Sequence, residues 1–127
     1  MQQKIIETKD APGAIGPYVQ GRVVGSFLFT SGQIALDPVT GTMVGEDIAT
    51  QTRQVLKNLI NVIQASGGDV SSVVKNTIFL KDMNHFATVN EIYGGVFSEH
   101  KPARSCVEVA RLPKDALIEI ESIAFLG

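Results

Sequence analysis

Leu117-Ile118-Glu119-Ile120-Glu121-Ser122-Ile123-Ala124-Phe125 is the stretch that decides the fold. Strand alternation sends Ile118 and Ile120 one way and Leu117, Ile123 and Phe125 the other, with Glu119 and Glu121 on the second face. A strand apolar on both sides belongs to a sheet that must be covered on both sides. Upstream, Leu112-Pro113-Lys114-Asp115-Ala116 links it to a strand over Ser105 to Ala110, and Val73 to Leu80 (VVKNTIFL) is β-branched and aromatic enough to be another. Toward the N-terminus, Ile5 to Glu7 is an edge strand. Arg22 to Val24 and Phe27 to Thr30 form a hairpin closed at Gly25-Ser26, and Gln33 to Leu36 is another short strand.

Two helices complete the pattern. Ile48, Thr52, Val55, Leu56, Leu59, Val62 and Ile63 recur at three- and four-residue steps, with Gln51, Gln54, Lys57, Asn58, Asn61 and Gln64 assigned to the opposite, polar face. Asp47 suits the N-cap and Gly67 the position just past the end, giving a helix of about 19 residues. A second helix runs from about His85 to Phe97, its stripe made by Phe86, Val89, Tyr93, Val96 and Phe97. Gly94-Gly95 weakens it and marks close packing on the sheet. The expected class is α+β: a mixed six-stranded sheet with two helices packed on one face, in one domain spanning residues 1–127. Two helices cover one face only, so self-association is the economical cover for the other.

Composition excludes much. Eleven basic against thirteen acidic residues, without a basic cluster, argue against nucleic acid as the primary partner. One cysteine excludes an internal disulfide or a cysteine-built zinc site, and two histidines leave little for a metal centre. No apolar run reaches about 18 residues, so no membrane span is expected, and MQQKIIETKD has no signal-peptide core, which predicts the cytoplasm. No GxGxxG, Walker loop, HExxH, GxSxG or CxxC is present. An enzyme built from this chain would use Arg, carboxylate, hydroxyl and backbone groups on a small substrate.

The candidates are few. Arg104, opening a strand of small and apolar residues, is either anchored to a structural carboxylate or presented to an anionic ligand. Glu119 and Glu121, about 7 Å apart along one strand face, are either solvated or include one carboxylate turned into a cleft to hold water, and Glu108 is a third candidate. Cys106 shares a strand face with Arg104, but neither His85 nor His100 is visibly placed as its base, so a packed thiol is the simpler reading. Ser31-Gly32 is a plain turn or a nest for a small anion. Tyr18 is core or a hydroxyl donor, and Asn90 lies at the margin of the second helix's stripe. If the last two strands pair as a hairpin, Glu119 stands opposite about Glu108 and Arg104 lies roughly 13 Å further along. The two would not easily meet over one ligand within that hairpin, so a site using both needs a bend, a long reach or groups from a neighbouring chain.

AIGPYVQG (Ala14 to Gly21), TSGQI (Thr30 to Ile34), FATVNEIY (Phe86 to Tyr93) and above all PARSCVEVARLPKDALIEIE (Pro102 to Glu121) closely resemble the reactive intermediate deaminase A family, over nearly the whole chain. The resemblance implies a chorismate-mutase-like fold, homotrimers with clefts between subunits, and hydrolysis of 2-imino and 2-enamino acids such as 2-aminoacrylate to 2-keto acids and ammonia, without metal or cofactor. By position it assigns Arg104 to the substrate carboxylate and Glu119 to water. Tyr18, Ser31, Gly32, Asn90 and Cys106 become cleft-lining groups, Cys106 through its backbone. The short step from His100 to Pro102, where some relatives carry extra residues, bears on substrate range. Against the deaminase stand a keto-acid-binding or regulatory module, which would use Arg104 but not Glu119, and a ribonuclease, which the acidic balance and lack of a histidine pair disfavour.

Overall fold

In a computed structural model, which describes residues 2–127, the strands are β1 (Gln3–Ile6), β2 (Gly21–Val24), β3 (Phe27–Thr30), β4 (Val73–Leu80), β5 (Ala103–Glu108) and β6 (Ile118–Phe125). The helices are α1 (Ile48–Ala65) and α2 (Phe86–Val96), and short 3-10 turns occupy Val70–Ser72, Met83–His85 and Pro113–Asp115. The strands make one sheet in the order β1-β2-β3-β6-β4-β5, antiparallel except for the β4–β5 pair.

The strand with two apolar faces lies near the centre of this sheet, between β3 and β4. Ile118, Ile120 and Ala124 are fully buried against the helices, together with Ile78 and Leu80 of β4 and Val55, Leu59, Val62 and Ile63 of α1. Helix α1 begins at Asp47, whose carboxylate accepts from Thr50 N at 2.9 Å, and ends at Ser66 before Gly67 at φ +95°. The hairpin turn is at Gly25 (φ +61°), the left-handed conformation such turns require. On the other face Phe27, Phe29, Val107 and Phe125 remain 42–48% exposed, with the Phe27 and Phe125 rings tilted against each other, centroids 5.2 Å apart.

Several expectations are corrected. The last two strands do not form a hairpin: β4 lies between them, because the β4–α2–β5 crossover pairs β5 parallel to β4 while β6 takes the other edge of β4. That parallel pairing, Lys75↔Ala103 through Leu80↔Glu108, starts and ends β5 two residues earlier than Ser105 to Ala110. Gln33 to Leu36 is not a strand but two isolated bridges, Gln33 to Ile120 and Leu36 to Met43. Asn58 Nδ2 donates to the Ile34 and Leu36 carbonyls at 3.1 and 2.9 Å, so a side chain replaces a ladder there. Asn58 and Gln51, assigned to the polar face of α1, are therefore buried: Gln51 donates to Gly45 O and accepts from Leu117 N. Gly94 and Gly95 are exposed, with open space where a Cβ would stand, so they do not mark close packing. His85 lies in the 3-10 turn preceding α2, whose start Asp82 caps.

Candidate functional site

Glu119 is the one acidic side chain lining a cleft of about 330 Å³, which is walled by Tyr18, Ser31, Gly32, Gln33 and Lys114 among others. Its position follows from register. Glu119 pairs with Phe79 and so points to the face away from the helices, while the next residue, Ile120, bridges Gln33 and draws Ser31-Gly32 over it. A Cβ on Gly32 would stand 2.7 Å from Glu119 Cδ, so the absence of a side chain there is what lets the carboxylate lie against the backbone. Half-burial, and secondarily the Glu121 charge, raise the Glu119 carboxyl above its ordinary value.

Two side-chain amides hold the loop over this cleft, Asn61 donating to Asp10 O at 2.7 Å and Gln20 making four bonds. Gln20, 4% exposed, accepts from Thr8 N at 2.7 Å and donates to the carbonyls of Thr8, Ala11 and Pro12. Ser31 ties the same loop to β3: its N–H donates to Gln20 O and its Oγ to Val19 O at 2.5 Å. Both Ser31 donors are thus spent within the chain, which removes the anion-nest reading of its hydroxyl and amide. Tyr18 is half-exposed, and its hydroxyl accepts from Ile15 N at 3.4 Å.

A second group stands elsewhere. Arg104 pairs in register with Asn76 and so points to the helix side, where its guanidinium carbon lies 4.9 Å from the Tyr93 ring centroid and 5.5 Å from that of Phe86. Arg104 Nη1 donates to Asn90 Oδ1 at 2.8 Å. No carboxylate holds it: the one ion pair among the described residues is Arg111–Asp115. The structural-anchor reading of Arg104 therefore gives way to a guanidinium with free N–H donors. Cys106, two residues on, packs against the core. Burial pushes its thiol up against the pull of Arg104, which disfavours the thiolate a nucleophile needs.

The structure thus brings together Tyr18, Ser31, Gly32 and Glu119, and separately Asn90, Arg104 and Cys106. Between Arg104 and Glu119 lie one intervening strand and a three-residue offset, roughly 14 Å between backbones, with the side chains on opposite faces of the sheet. Glu121 is exposed beside Glu119. Glu108 is structural, accepting from Met83 N at 2.8 Å at the turn before α2. His100 contacts Val73 O, and no histidine lines the Glu119 cleft. Sequence reading missed Gln20, Gln51 and Asn58, whose burial has no sequence signal. It also missed Phe86 and Tyr93 as partners of Arg104, although Phe86, Asn90 and Tyr93 at i, i+4 and i+7 do share one helical face.

Comparison with known proteins adds the following. Residues 8–126 match a family model described as endoribonuclease L-PSP. The chain is 57% identical over 124 residues, 95% of this chain and 96% of the other, to the 2-iminobutanoate/2-iminopropanoate deaminase of Salmonella typhimurium, and 56% identical to that of Escherichia coli over the same shares. Among solved structures it is similar to Escherichia coli TdcF with bound serine (TM-score 0.93, 52% identity, 98% and 99% of the two chains) and to yeast Mmf1 (TM-score 0.96, 37% identity, 99% and 100%).

Proposed function

Because the chain belongs to the endoribonuclease L-PSP family, with the 2-iminobutanoate/2-iminopropanoate deaminases among its similar members, we propose that it hydrolyses reactive 2-imino and 2-enamino acids to 2-keto acids and ammonia. The observation that carries this reading is the pair of complementary half-sites: an arginine without a carboxylate partner and a half-buried carboxylate without an ion-pair partner. Arg104 forms a charge-assisted fork with the substrate carboxylate, as a planar guanidinium does best, and Asn90 steadies it. Glu119 takes a proton from water as the water oxygen bonds to the imine carbon and the C=N electron pair moves to nitrogen. Glu119 returns that proton to nitrogen to give the carbinolamine, then carries the hydroxyl proton to the same nitrogen as the C–N bond breaks, so that ammonia leaves and the keto group forms. The imine carbon is already electrophilic, so orientation and one proton shuttle suffice.

The halves meet when the Arg104 edge of one chain lies against the open face of another. Such a contact joins two different surfaces, and it builds a closed ring when its rotation returns to the first chain. We assign a homotrimer with three clefts between subunits, which the exposed Phe27, Phe29 and Phe125 support as an apolar surface in need of a cover. No described helix is long and apolar enough to cross a membrane, and the proposed site of action is the cytoplasm, where leaked imines would otherwise damage pyridoxal-phosphate enzymes. The family's description names an RNA-cleaving activity, but the Glu119 cleft holds no histidine and the chain no basic cluster.

The test generates 2-iminobutyrate and 2-aminoacrylate from threonine and serine with a dehydratase and follows keto-acid release. Wild type accelerates release and folded Arg104→Ala does not. Equal rates with both variants would overturn the reading. One observation favours a second reading, a carboxylate-binding regulator: TdcF holds serine in its crystal structure. Binding of 2-ketobutyrate without any imine turnover would support that reading instead.

A further inference from the structure

The guanidinium of Arg104 rests on a support that reaches into the sheet. Tyr93 is 6% exposed, and its ring lies under Arg104 at 4.9 Å while packing on Phe97 at 4.7 Å. Its hydroxyl accepts from Asn76 Nδ2 at 2.8 Å. Asn76 is fully buried and accepts through Oδ1 from Ser122 Oγ, and Ser122 N donates to Thr30 Oγ1 at 2.9 Å. This line of polar groups crosses the otherwise apolar helix side of β4 and β6, directly beneath the residue that holds no carboxylate of its own. Buried polar groups in such a place cost stability unless every member is satisfied, and here each has its partner.

We propose that Tyr93 is the positioning residue for Arg104: the face of its ring carries the guanidinium, and its hydroxyl, moored to Asn76 and Ser122, keeps that ring in place. The inference rests on the reading of Arg104 as the carboxylate anchor. A long arginine otherwise loses rotamer freedom each time it grips a ligand, and a stacked, hydrogen-bonded guanidinium has already lost it. Asn90 fixes one edge and the Tyr93 and Phe86 rings hold it from the helix side, which leaves the remaining N–H donors for the ligand. Tyr93→Leu leaves Arg104 present to orient the carboxylate, so a loosened arginine shows chiefly as weaker binding and little as a slower chemical step.

The experiment compares Tyr93→Phe, Tyr93→Leu and Arg104→Ala in the imine assay, with thermal melts to verify folding and 2-ketobutyrate titrated as a probe of carboxylate binding. Tyr93→Leu, which removes the aromatic face, is expected to raise KM and the 2-ketobutyrate Kd together by about fivefold to tenfold, with kcat within about twofold of wild type. Tyr93→Phe keeps the face, melts lower because Asn76 loses a partner, and restores KM to within about threefold. Should Tyr93→Leu not fold, Tyr93→Met removes the same face with a more adaptable side chain. An unchanged KM in a folded Leu or Met variant overturns the proposal, as does a kcat loss without a KM change, or a Phe variant as impaired as Leu. Arg104→Ala separates the two levels: if it keeps wild-type activity, the anchor reading itself fails, whereas an inactive Arg104→Ala beside a wild-type-like Tyr93→Leu removes only the role of Tyr93.

Discussion

At the scale of single residues, the cleft depends on an absence. Gly32 has no Cβ, and the Glu119 carboxylate occupies the space one would fill. Gly32→Ala is therefore expected to push Glu119 off its position and lower kcat about tenfold or more while the fold persists, since misplacement by an ångström is costly for a positioned base. Steady-state kinetics beside a melting curve check this, and an alanine variant with wild-type kcat would remove Gly32 from the site. The neighbouring charge gives a second expectation. Glu119 must be ionised to accept a proton, so activity falls as pH drops through its pKa, which burial and Glu121 hold above the ordinary glutamate value. Glu121→Gln removes the repulsion and leaves the desolvation. The acid limb of kcat therefore moves to lower pH yet stays above the ordinary range. A limb that stays put or moves upward would contradict the assignment of Glu119 as the base.

At the scale of elements, helix α1 does more than cover the sheet. Its buried Asn58 caps two carbonyls of the segment that follows Ser31-Gly32, and its buried Gln51 bonds the segments before α1 and before β6. Asn58→Ala leaves those carbonyls unpaired and is expected to cost about 2–3 kcal/mol, measured by urea denaturation, with the 33–44 segment losing amide protection first. A loss below about 0.5 kcal/mol would mean that water replaces the amide there. These amides also mark where the sequence stops being legible. Alternation in Leu117 to Phe125 and the three-to-four spacing in Ile48 to Ile63 are enough to place the central strand, α1 and its cap at Asp47. Gln51 and Asn58 stand out in no local way from the partly buried Gln54 and the exposed Lys57, because what buries them is a loop packed on the helix rather than anything in their own neighbourhood. The supposed last hairpin fails for the same reason: a nine-residue link between two strands looks the same whether they pair or straddle β4, and only the parallel β4–β5 crossover decides.

At the scale of the whole molecule, the candidate site was legible as a set of residues but not as an arrangement. The distance argument for Arg104 and Glu119, made through a hairpin that does not exist, leaves a bend, a long reach or a neighbouring chain open. The topology favours the neighbouring chain, since the two side chains leave opposite faces of the sheet. One chain is therefore proposed to carry half of each of two clefts, its aromatic open face being the surface on which the complementary half docks. The measurement that tests this most directly mixes two dead variants. Arg104→Ala and Glu119→Gln, each inactive alone, are co-expressed and the assembled protein is assayed for imine hydrolysis. In a ring whose clefts each take Arg104 from one subunit and Glu119 from the next, random mixing makes about one cleft in four intact, so about a quarter of wild-type activity returns. If the co-assembled variants stay as inactive as either parent, the two groups do not complement across chains and the shared cleft is wrong.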